Sequence, residues 1–428
     1  MAWLRAQSCV PAAAIRARPS SAVCPHLARG FAAGGSRLSY DCDLDEEPVQ
    51  CYKPGGYHPI HIGDRVKDGQ YKILHKLGWG AFSTVWAARD KETNQNVAVK
   101  ILQAAASGKD RELRTLQSLK QLQRSHRGYQ HLNSLHDSFQ QRSPNGLHDC
   151  LVLDLTGPSV QGFIGHHIED GRLPGKQAKL VARQALQALA CLHEQNIGHG
   201  DVHLHNIVLG IPSLPTASEA DLATLLGNPV TAPIRPDPNN TPEVPRYIVK
   251  PTSFSSRSYL SLSEIKLVDF GASFSHRLGP GSLLNPPIVR PPEAIFGNDP
   301  LDKQVDLWSM GCTLFELICG QTPFESGLGT TESIARQMVH LVRDDFPARW
   351  KAQRAALDQP DSSLSSASAS SLQQWLALLY FDREQTPDFS RDEIAQAGDL
   401  VARLMRFEPE KRASAEEILR DPWFKDVQ

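Results

Sequence analysis

A two-lobed α+β fold is what this chain of 428 residues predicts, with a small β-rich lobe carrying one main helix and a larger, mostly helical lobe after it. Three observations point there. Between residues 71 and 157, short apolar runs of strand character surround a single helical stretch. From residue 158 onward, apolar residues recur at helical spacing. Seven short motifs then fall in one order along both halves.

In the first lobe, residues 71–77, 85–89 and 97–102 read as strands separated by Gly- or Asn-containing turns. Residues 110–122 place Leu113, Leu116 and Leu119 at three-residue spacing and read as a helix, and 151–155 is a further strand-like run. The second lobe, 158–428, shows helical patterns at 177–194, 305–319, 334–342 and 398–406. Residues 211–262 hold nine prolines and are too long for an ordinary loop. They read as an insertion lying on the surface, with a short helix at 218–226. A second variable stretch covers 351–386 and includes the Ser/Ala-rich run 362–371. Residues 46–70 are expected to form an extension lying against the folded lobes. No internal repeat occurs.

Residues 1–45 read as a leader. Residues 1–40 carry Arg5, Arg16, Arg18, Arg29 and Arg37 and no acidic residue. That is the composition of a mitochondrial transit peptide, and equally of a disordered basic tail. A net charge of −2 gives no basis for nucleic-acid or membrane-surface binding. The most apolar stretch, 307–320, is interrupted by Glu316, so a soluble chain without a membrane span is expected. The eight cysteines form no C-x-x-C pair, which argues against a zinc site or disulfide framework.

The motifs carry the chemistry. Leu77-Gly78-Trp79-Gly80-Ala81-Phe82-Ser83-Thr84-Val85 is a glycine-rich turn between two strands, able to close its backbone N–H groups over phosphate oxygens. By itself a β-turn explains it as well, and Ser83 stands where a third glycine is usual. Val97-Ala98-Val99-Lys100 ends a strand in a lysine, 22 residues after Gly78, which suits holding α- and β-phosphates. Glu112, on the apolar face of the next helix with Leu116 and Leu119, needs a cationic partner, and Lys100 is the natural one. His199-Gly200-Asp201-Val202-His203-Leu204-His205-Asn206 is an H-x-D-x-x-x-x-N loop, with Asp201 as base and Asn206 as a Mg²⁺ ligand. The apolar run 265–268 leads into Asp269-Phe270-Gly271, where Asp269 is the second Mg²⁺ ligand. Arg290-Pro291-Pro292-Glu293 and Asp306-Leu307-Trp308-Ser309-Met310-Gly311 follow, and Arg412 is placed to pair with Glu293. Each motif alone has a plain structural explanation. Their order makes coincidence untenable.

Together these residues resemble the eukaryotic protein kinase superfamily over residues 71–425. Within it the chain is similar to the SR-protein kinase family, particularly its fungal-type members. The carrying residues are Gly55-Gly56-Tyr57-His58-Pro59, Ile62-Gly63-Asp64, Leu77-Gly78-Trp79-Gly80 and Phe82-Ser83-Thr84-Val85-Trp86. The insertion ending Ser263-Glu264-Ile265-Lys266 matches that family's spacer position. The resemblance implies transfer of the ATP γ-phosphate, with ATP and Mg²⁺ as cofactors, to Ser or Thr of protein substrates. Arg/Ser-rich segments of splicing factors are the family's frequent targets. It also implies a monomer in cytoplasm or nucleus, against the mitochondrial import suggested by residues 1–40. Leu153 is expected at the back of the adenine pocket, beside Ala98, with the backbone of Asp154 and Thr156 addressing the base.

Several departures qualify that reading. Gly200 replaces the arginine that usually reads a phosphorylated activation loop, and that loop offers only Ser273, Ser275 and Ser282. No need for activation-loop phosphorylation is expected. Only Glu325 and Glu332 precede Asp344-Asp345 after Phe324, a thin acidic lining for a basic substrate. Two rivals share parts of the pattern. A small-molecule phosphotransferase of the aminoglycoside or choline type has an H-G-D-x-H-x-x-N loop but lacks motifs like 77–86, 290–293 and 306–311. A catalytically weak pseudokinase scaffold fits Ser83, His203 and the altered 290–293 motif, yet Lys100, Asp201, Asn206 and Asp269 are all present. His203 stands where most protein kinases carry a lysine facing the γ-phosphate, and imidazoles are mostly neutral at pH 7 where ammonium groups are charged. The His203→Lys variant is therefore expected to turn over faster in steady-state assays at about pH 7.5; no gain, or a loss, would contradict this role.

Overall fold

The computed structural model describes residues 41–108, 111–121, 126–236, 241–254, 262–275, 283, 285–297, 300–324, 330–357, 371–382 and 387–427. The run 1–40, Ser282, Glu325 and most of 362–371 lie outside the described residues.

Six antiparallel strands build the first lobe: β1 (Arg65–Val66), β2 (Tyr71–Gly80), β3 (Ser83–Asp90), β4 (Gln95–Leu102), β5 (Leu135–Ser143) and β6 (Gly146–Asp154), in the order β1-β2-β3-β4-β6-β5. Helix α1 (Arg111–Lys120) lies between β4 and β5 in the chain. Side chains on a strand alternate between faces. Trp86, Val99, Ile101 and Val152 accordingly join Ile60 and Ile73 in an outer cluster, while Ala98, Leu151 and Leu153 face the main core. Strand β5 carries little strand signal in the sequence, because its outward positions are polar and only alternate residues are covered.

The second lobe follows through α2 (Val160–His167), α3 (Gly175–Glu194), β7 (Ile197–Gly198) and β8 (Ile207–Leu209). Helix α4 (Glu219–Leu226) and the hairpin β9 (Thr231–Pro233) and β10 (Tyr247–Val249) form the insertion; Ser218 caps α4 by accepting from Asp221 N. Then come β11 (Ile265–Leu267), β12 (Phe274–Ser275), α5 (Pro292–Phe296), α6 (Val305–Cys319) and α7 (Thr331–Leu341). The chain ends in α8 (Lys351–Leu357), α9 (Leu372–Phe381), α10 (Arg391–Leu404) and α11 (Ala415–Leu419). Helices α8 and α9 fall inside the stretch that looked merely variable. Helix α10 starts at Arg391 rather than 398, because Ser390 and Glu393 form a capping box there.

The insertion does more than cover surface. It leaves the helical lobe after β8 and lies against the β-rich lobe: Asn96 Nδ2 donates to Leu214 O and Ala217 O, both at 2.9 Å. Val249 enters the outer cluster, and Thr252 N donates to Lys76 O at 3.0 Å. The N-terminal extension joins it in a separate apolar cluster of Val49, Cys51, Tyr52 and Tyr57 with Ile234 and Ile248. Residues 41–45, grouped with the leader on composition, depart from that grouping: Asp41 and Arg235 exchange backbone hydrogen bonds of 2.8 and 2.9 Å.

Helix α6 is buried along nearly its whole length. Below it, Arg412 grips Glu293 through two bonds, Nη1 to Oε1 at 2.8 Å and Nη2 to Oε2 at 2.6 Å, both side chains fully covered. Removing one member of such a pair strands the other charge. Arg412→Ala is expected to cost about 3–5 kcal/mol in denaturant unfolding, and replacing both partners by apolar residues to recover much of it. Equal losses in the single and double variants would show that the pair is not the cause.

Candidate active site

The centre of the site is the ammonium of Lys100. Strand β4 delivers it to the cleft face, between Ala98 and Leu102. There its Nζ meets Glu112 Oε2 of α1 at 2.7 Å and Asp269 Oδ1 at 2.8 Å. Burial disfavours the ammonium, but the two carboxylates outweigh it and lift the pKa above the ordinary lysine value. The same ion pair lowers Asp269 to about 2, so both groups are charged across the physiological range. Asp269 holds a left-handed backbone, φ +63°, rarely adopted by residues with side chains. Its Oδ1 steadies that turn by accepting from Gly271 N at 3.3 Å.

The loop carrying Asp201 is fixed from two sides. Asp306, the first acidic residue of the buried helix α6, accepts His199 N at 2.7 Å, Gly200 N at 2.8 Å and the His193 ring at 2.9 Å. On the other side β8 pairs with β11, Val268 N donates to Asn206 O at 2.9 Å, and the His199 ring bonds Val268 O at 3.0 Å. Asp269 is the next residue, so the two loops are stitched together. Within the Asp201 loop, Asn206 Nδ2 donates to Asp201 O at 2.9 Å and to Asp201 Oδ2 at 3.0 Å. The His203 ring nitrogen lies 3.2 Å from Asp201 Oδ1, near enough for charge attraction, though Oδ1 has no hydrogen bond among the described residues.

Above these residues, β2 and β3 form the hairpin whose turn is Ala81-Phe82. Leu77 and Val85 pack against the same core cluster that holds Ala98 and Leu153. Gly78 and Gly80 have no heavy atom within 4 Å of an added Cβ, so nothing crowds the hairpin's glycines. At the lower edge Asp154 ends β6. Burial favours its neutral form, but the His136 hydrogen bond at 2.7 Å and the Lys266 charge at 3.1 Å outweigh that and hold it at about 2.

Comparison with known proteins decides the family. The chain matches the protein kinase domain over residues 71–213 and 256–424. It belongs to the protein kinase family. It is 28% identical over 405 residues to the serine/threonine-protein kinase SRPK of Physarum polycephalum, covering 90% of this chain and 92% of that one. With protein kinase dsk1 of Schizosaccharomyces pombe it shares 27% over 468 residues, 89% of this chain and 85% of the relative. With human SRSF protein kinase 3 it shares 34% over 171 residues, 39% of this chain and 30% of that one. A solved kinase-domain crystal structure superposes at TM-score 0.60 and 19% identity, covering 86% of this chain and 99% of that chain, a likeness in fold. The SR-protein-kinase resemblance read from residues 55–86 agrees with these relatives.

Within this kinase, the structure brings Lys100, Glu112 and Asp269 together, and Asp201, His203 and Asn206 beside them. Two of the expected nucleotide-site side chains, Thr84 and Trp79, turn elsewhere, and the Asp154 carboxylate, of which only the backbone was expected at the base, is engaged by other partners. Thr84 is fully buried on the outer face, accepting from Trp86 Nε1 at 3.0 Å. The Trp79 indole donates to Glu46 at 3.1 Å, and the Asp154 carboxylate is spent on His136, Ser134 and Lys266. Phe82 stands 47% exposed at the hairpin tip. Two positions mattered more than the motifs implied. Asp306 is the loop's anchor, and its signal was a carboxylate opening an apolar helix. Gly200 is obligatory rather than merely a missing arginine: its φ is +80°, and a Cβ there would sit 2.6 Å from Ala272 O. Ser273 is fully buried, its hydroxyl donating to Phe270 O at 2.6 Å, so it is no ready phosphate acceptor. The thin acidic lining also shrinks. Asp344 is held by Arg406 and Phe407 N, and Glu332 pairs with Arg336.

Among the described residues the six cysteines are free, no cluster of three or more His, Cys, Asp or Glu could hold a metal, and no helix is long and apolar enough to cross a membrane.

Proposed function

We propose that this protein transfers the γ-phosphate of Mg²⁺-bound ATP to serine and threonine hydroxyls of proteins, with basic, Arg/Ser-rich segments as its preferred acceptors. The observation that supports it most directly is the Lys100–Asp269 ion pair lying against the Asp201–Asn206 loop.

The division of labour follows from the charges. Lys100 neutralises the α- and β-phosphates, and Glu112 keeps it aimed when the nucleotide arrives. Leu77, Val85, Ala98 and Leu153 flank the adenine, and the backbone of Asp154 and Thr156 addresses its polar edge. The Asn206 amide oxygen and the second Asp269 oxygen have no protein donor among the described residues, and two hard oxygens suit Mg²⁺. When bound there, the metal supplies charge neutralisation of the phosphates. Asp201 Oδ2 accepts from Asn206, and Oδ1 is enclosed beside the His203 ring, so the loop holds the carboxylate in one orientation toward the acceptor. The Asp201 carboxylate aligns the hydroxyl, takes its proton as the new P–O bond forms, and the bond to the β-phosphate oxygen breaks to release ADP.

The basic-acceptor preference rests on Glu316. This carboxylate lies on α6, behind the catalytic loop, with no hydrogen-bond donor among the described residues. Burial raises its pKa to about 7, offset only in part by the His203 ring. A cationic side chain of the acceptor would complete its charge.

Incubation of the full chain with labelled ATP and a peptide panel tests both levels. Transfer is expected to Ser/Thr peptides and to fall about a hundredfold or more in Asp201→Asn. ATP binding without transfer would favour a scaffold, and transfer to small alcohols alone a small-molecule kinase. For Glu316, an acid with a raised pKa is anionic only above it, so KM for Arg-rich peptides should improve as pH rises through about 7. Glu316→Gln should abolish that trend while sparing Arg-free peptides. An unchanged trend would remove Glu316 from acceptor recognition.

A further inference from the structure

The segment Gly55-Gly56-Tyr57 carries no role in the mechanism above, yet it is built with care. Gly55 has φ +85°, and a Cβ on Gly56 would fall 1.9 Å from Cys51 O, so neither position admits a side chain. Their backbone is locked to the far end of β4, Ala104 N donating to Gly56 O at 3.1 Å and Ala105 N to Gly55 O at 2.8 Å. Asn145 Nδ2 holds Tyr57 O at 2.6 Å. The Tyr57 ring is buried, 5.5 Å from Tyr52, and its hydroxyl donates to Gly80 O at 2.7 Å.

Gly80 O is the first of three consecutive carbonyls at the tip of the glycine-rich hairpin. The next two are held by Gln103: its Nε2 donates to Ala81 O at 3.1 Å and its N to Phe82 O at 2.8 Å. In a planar trans peptide the N–H points opposite to the C=O. Fixing the carbonyls of Gly80 and Ala81 therefore fixes the N–H groups of Ala81 and Phe82, and neither has a protein acceptor among the described residues. Successive free backbone N–H groups are a phosphate cradle. Two of the three anchors come from Gln103, the residue just past β4. The one on Gly80 comes from outside the kinase domain match, which begins at residue 71.

We propose that Tyr57 is a positioning residue of the nucleotide site: its hydroxyl sets the Gly80–Ala81 peptide plane and so aims the Ala81 N–H at the ATP phosphates. This deepens the kinase reading and rests on it. The Glu46–Trp79 bond, 3.1 Å, is a second tether from the same segment to the same hairpin.

The test uses the full chain and calorimetric binding of Mg·ATP, Mg·ADP and adenosine. Tyr57→Phe deletes one hydroxyl from an otherwise unchanged ring. ATP and ADP affinity should fall about three- to tenfold, the scale of one lost hydrogen bond. Adenosine, which has no phosphates, should bind as before, and KM for ATP should rise. Equal weakening of adenosine and ATP, or no weakening of ATP, overturns the proposal. Should Tyr57→Phe fail to fold, Glu46→Ala is read in its place, with the same split between ATP and adenosine expected and an unchanged split counting against it. The two readings separate in the wild type. A chain that binds no ATP sinks the kinase reading, whereas one that binds ATP with the ratio unmoved in the variants sinks only the role of Tyr57.

Discussion

One ammonium group organises this molecule. Lys100 is almost enclosed, and an enclosed cation without partners would lose its proton or force the lobe open. It keeps its charge only while Glu112 arrives from α1 and Asp269 from the segment after β11. Three distant pieces of chain must therefore be correctly placed before the charge is tolerable. The rest of the helical lobe reads as the means of placing Asp269. Strand β11 pairs with β8, Val268 is clamped by His199 and Asn206, and Asp306 holds that loop on the rigid helix α6. A carboxylate buried for this purpose is stable because it accepts three donors at once.

How much of this could be read from residues alone follows the same logic. Lys100, Asp201, Asn206 and Asp269 were legible because phosphate chemistry demands fixed residue types at fixed spacings. Glu112 was legible because a carboxylate on an apolar helix face needs a cation. The Glu293–Arg412 pair followed from motif order. Strand β5 escaped because one polar face leaves only every second residue apolar, as at Leu135, too weak a signal beside its hairpin partner β6. The true start of α10 was encoded in Ser390 and Glu393, a capping signal outweighed by the apolar run farther on. Docking of the insertion was not legible at all. Asn96 reaching Leu214 O joins residues 118 apart, and nothing local marks either as a partner.

That docking changes how the two lobes relate. In a two-lobed enzyme with a single connecting strand, the lobes are free to rock, and something must select the closed arrangement. Here the insertion leaves the helical lobe after β8 and is tied to the β-rich lobe, Asn96 holding Leu214 O and Ala217 O, Glu219 of α4 lying 3.5 Å from Lys72, and Val249 of the β9–β10 hairpin entering the outer cluster. The N-terminal extension closes over the same face, its Glu47 forming a fully buried ion pair with Lys76 while Tyr52 donates to the same carboxylate at 2.7 Å. Such a brace narrows the range of lobe orientations without any modification. It is consistent with Gly200 in place of a phosphate-reading arginine and with the burial of Ser273.

The same economy bears on the least conventional feature of the site, the imidazole at 203. A lysine there would bring a permanent positive charge within reach of Asp201 and, through the loop, toward Glu316. With histidine, the carboxylate on α6 is the group that changes charge near neutrality, its pKa raised to about 7 by burial and offset only in part by the ring. The α6 carboxylate is thus electrostatically soft, whereas Lys100 and Asp269 stay charged far beyond that pH range. Nucleotide affinity should therefore vary little with pH, and, on the proposed role of Glu316, the choice of acceptor should vary with it most, because that carboxylate is anionic only above about pH 7.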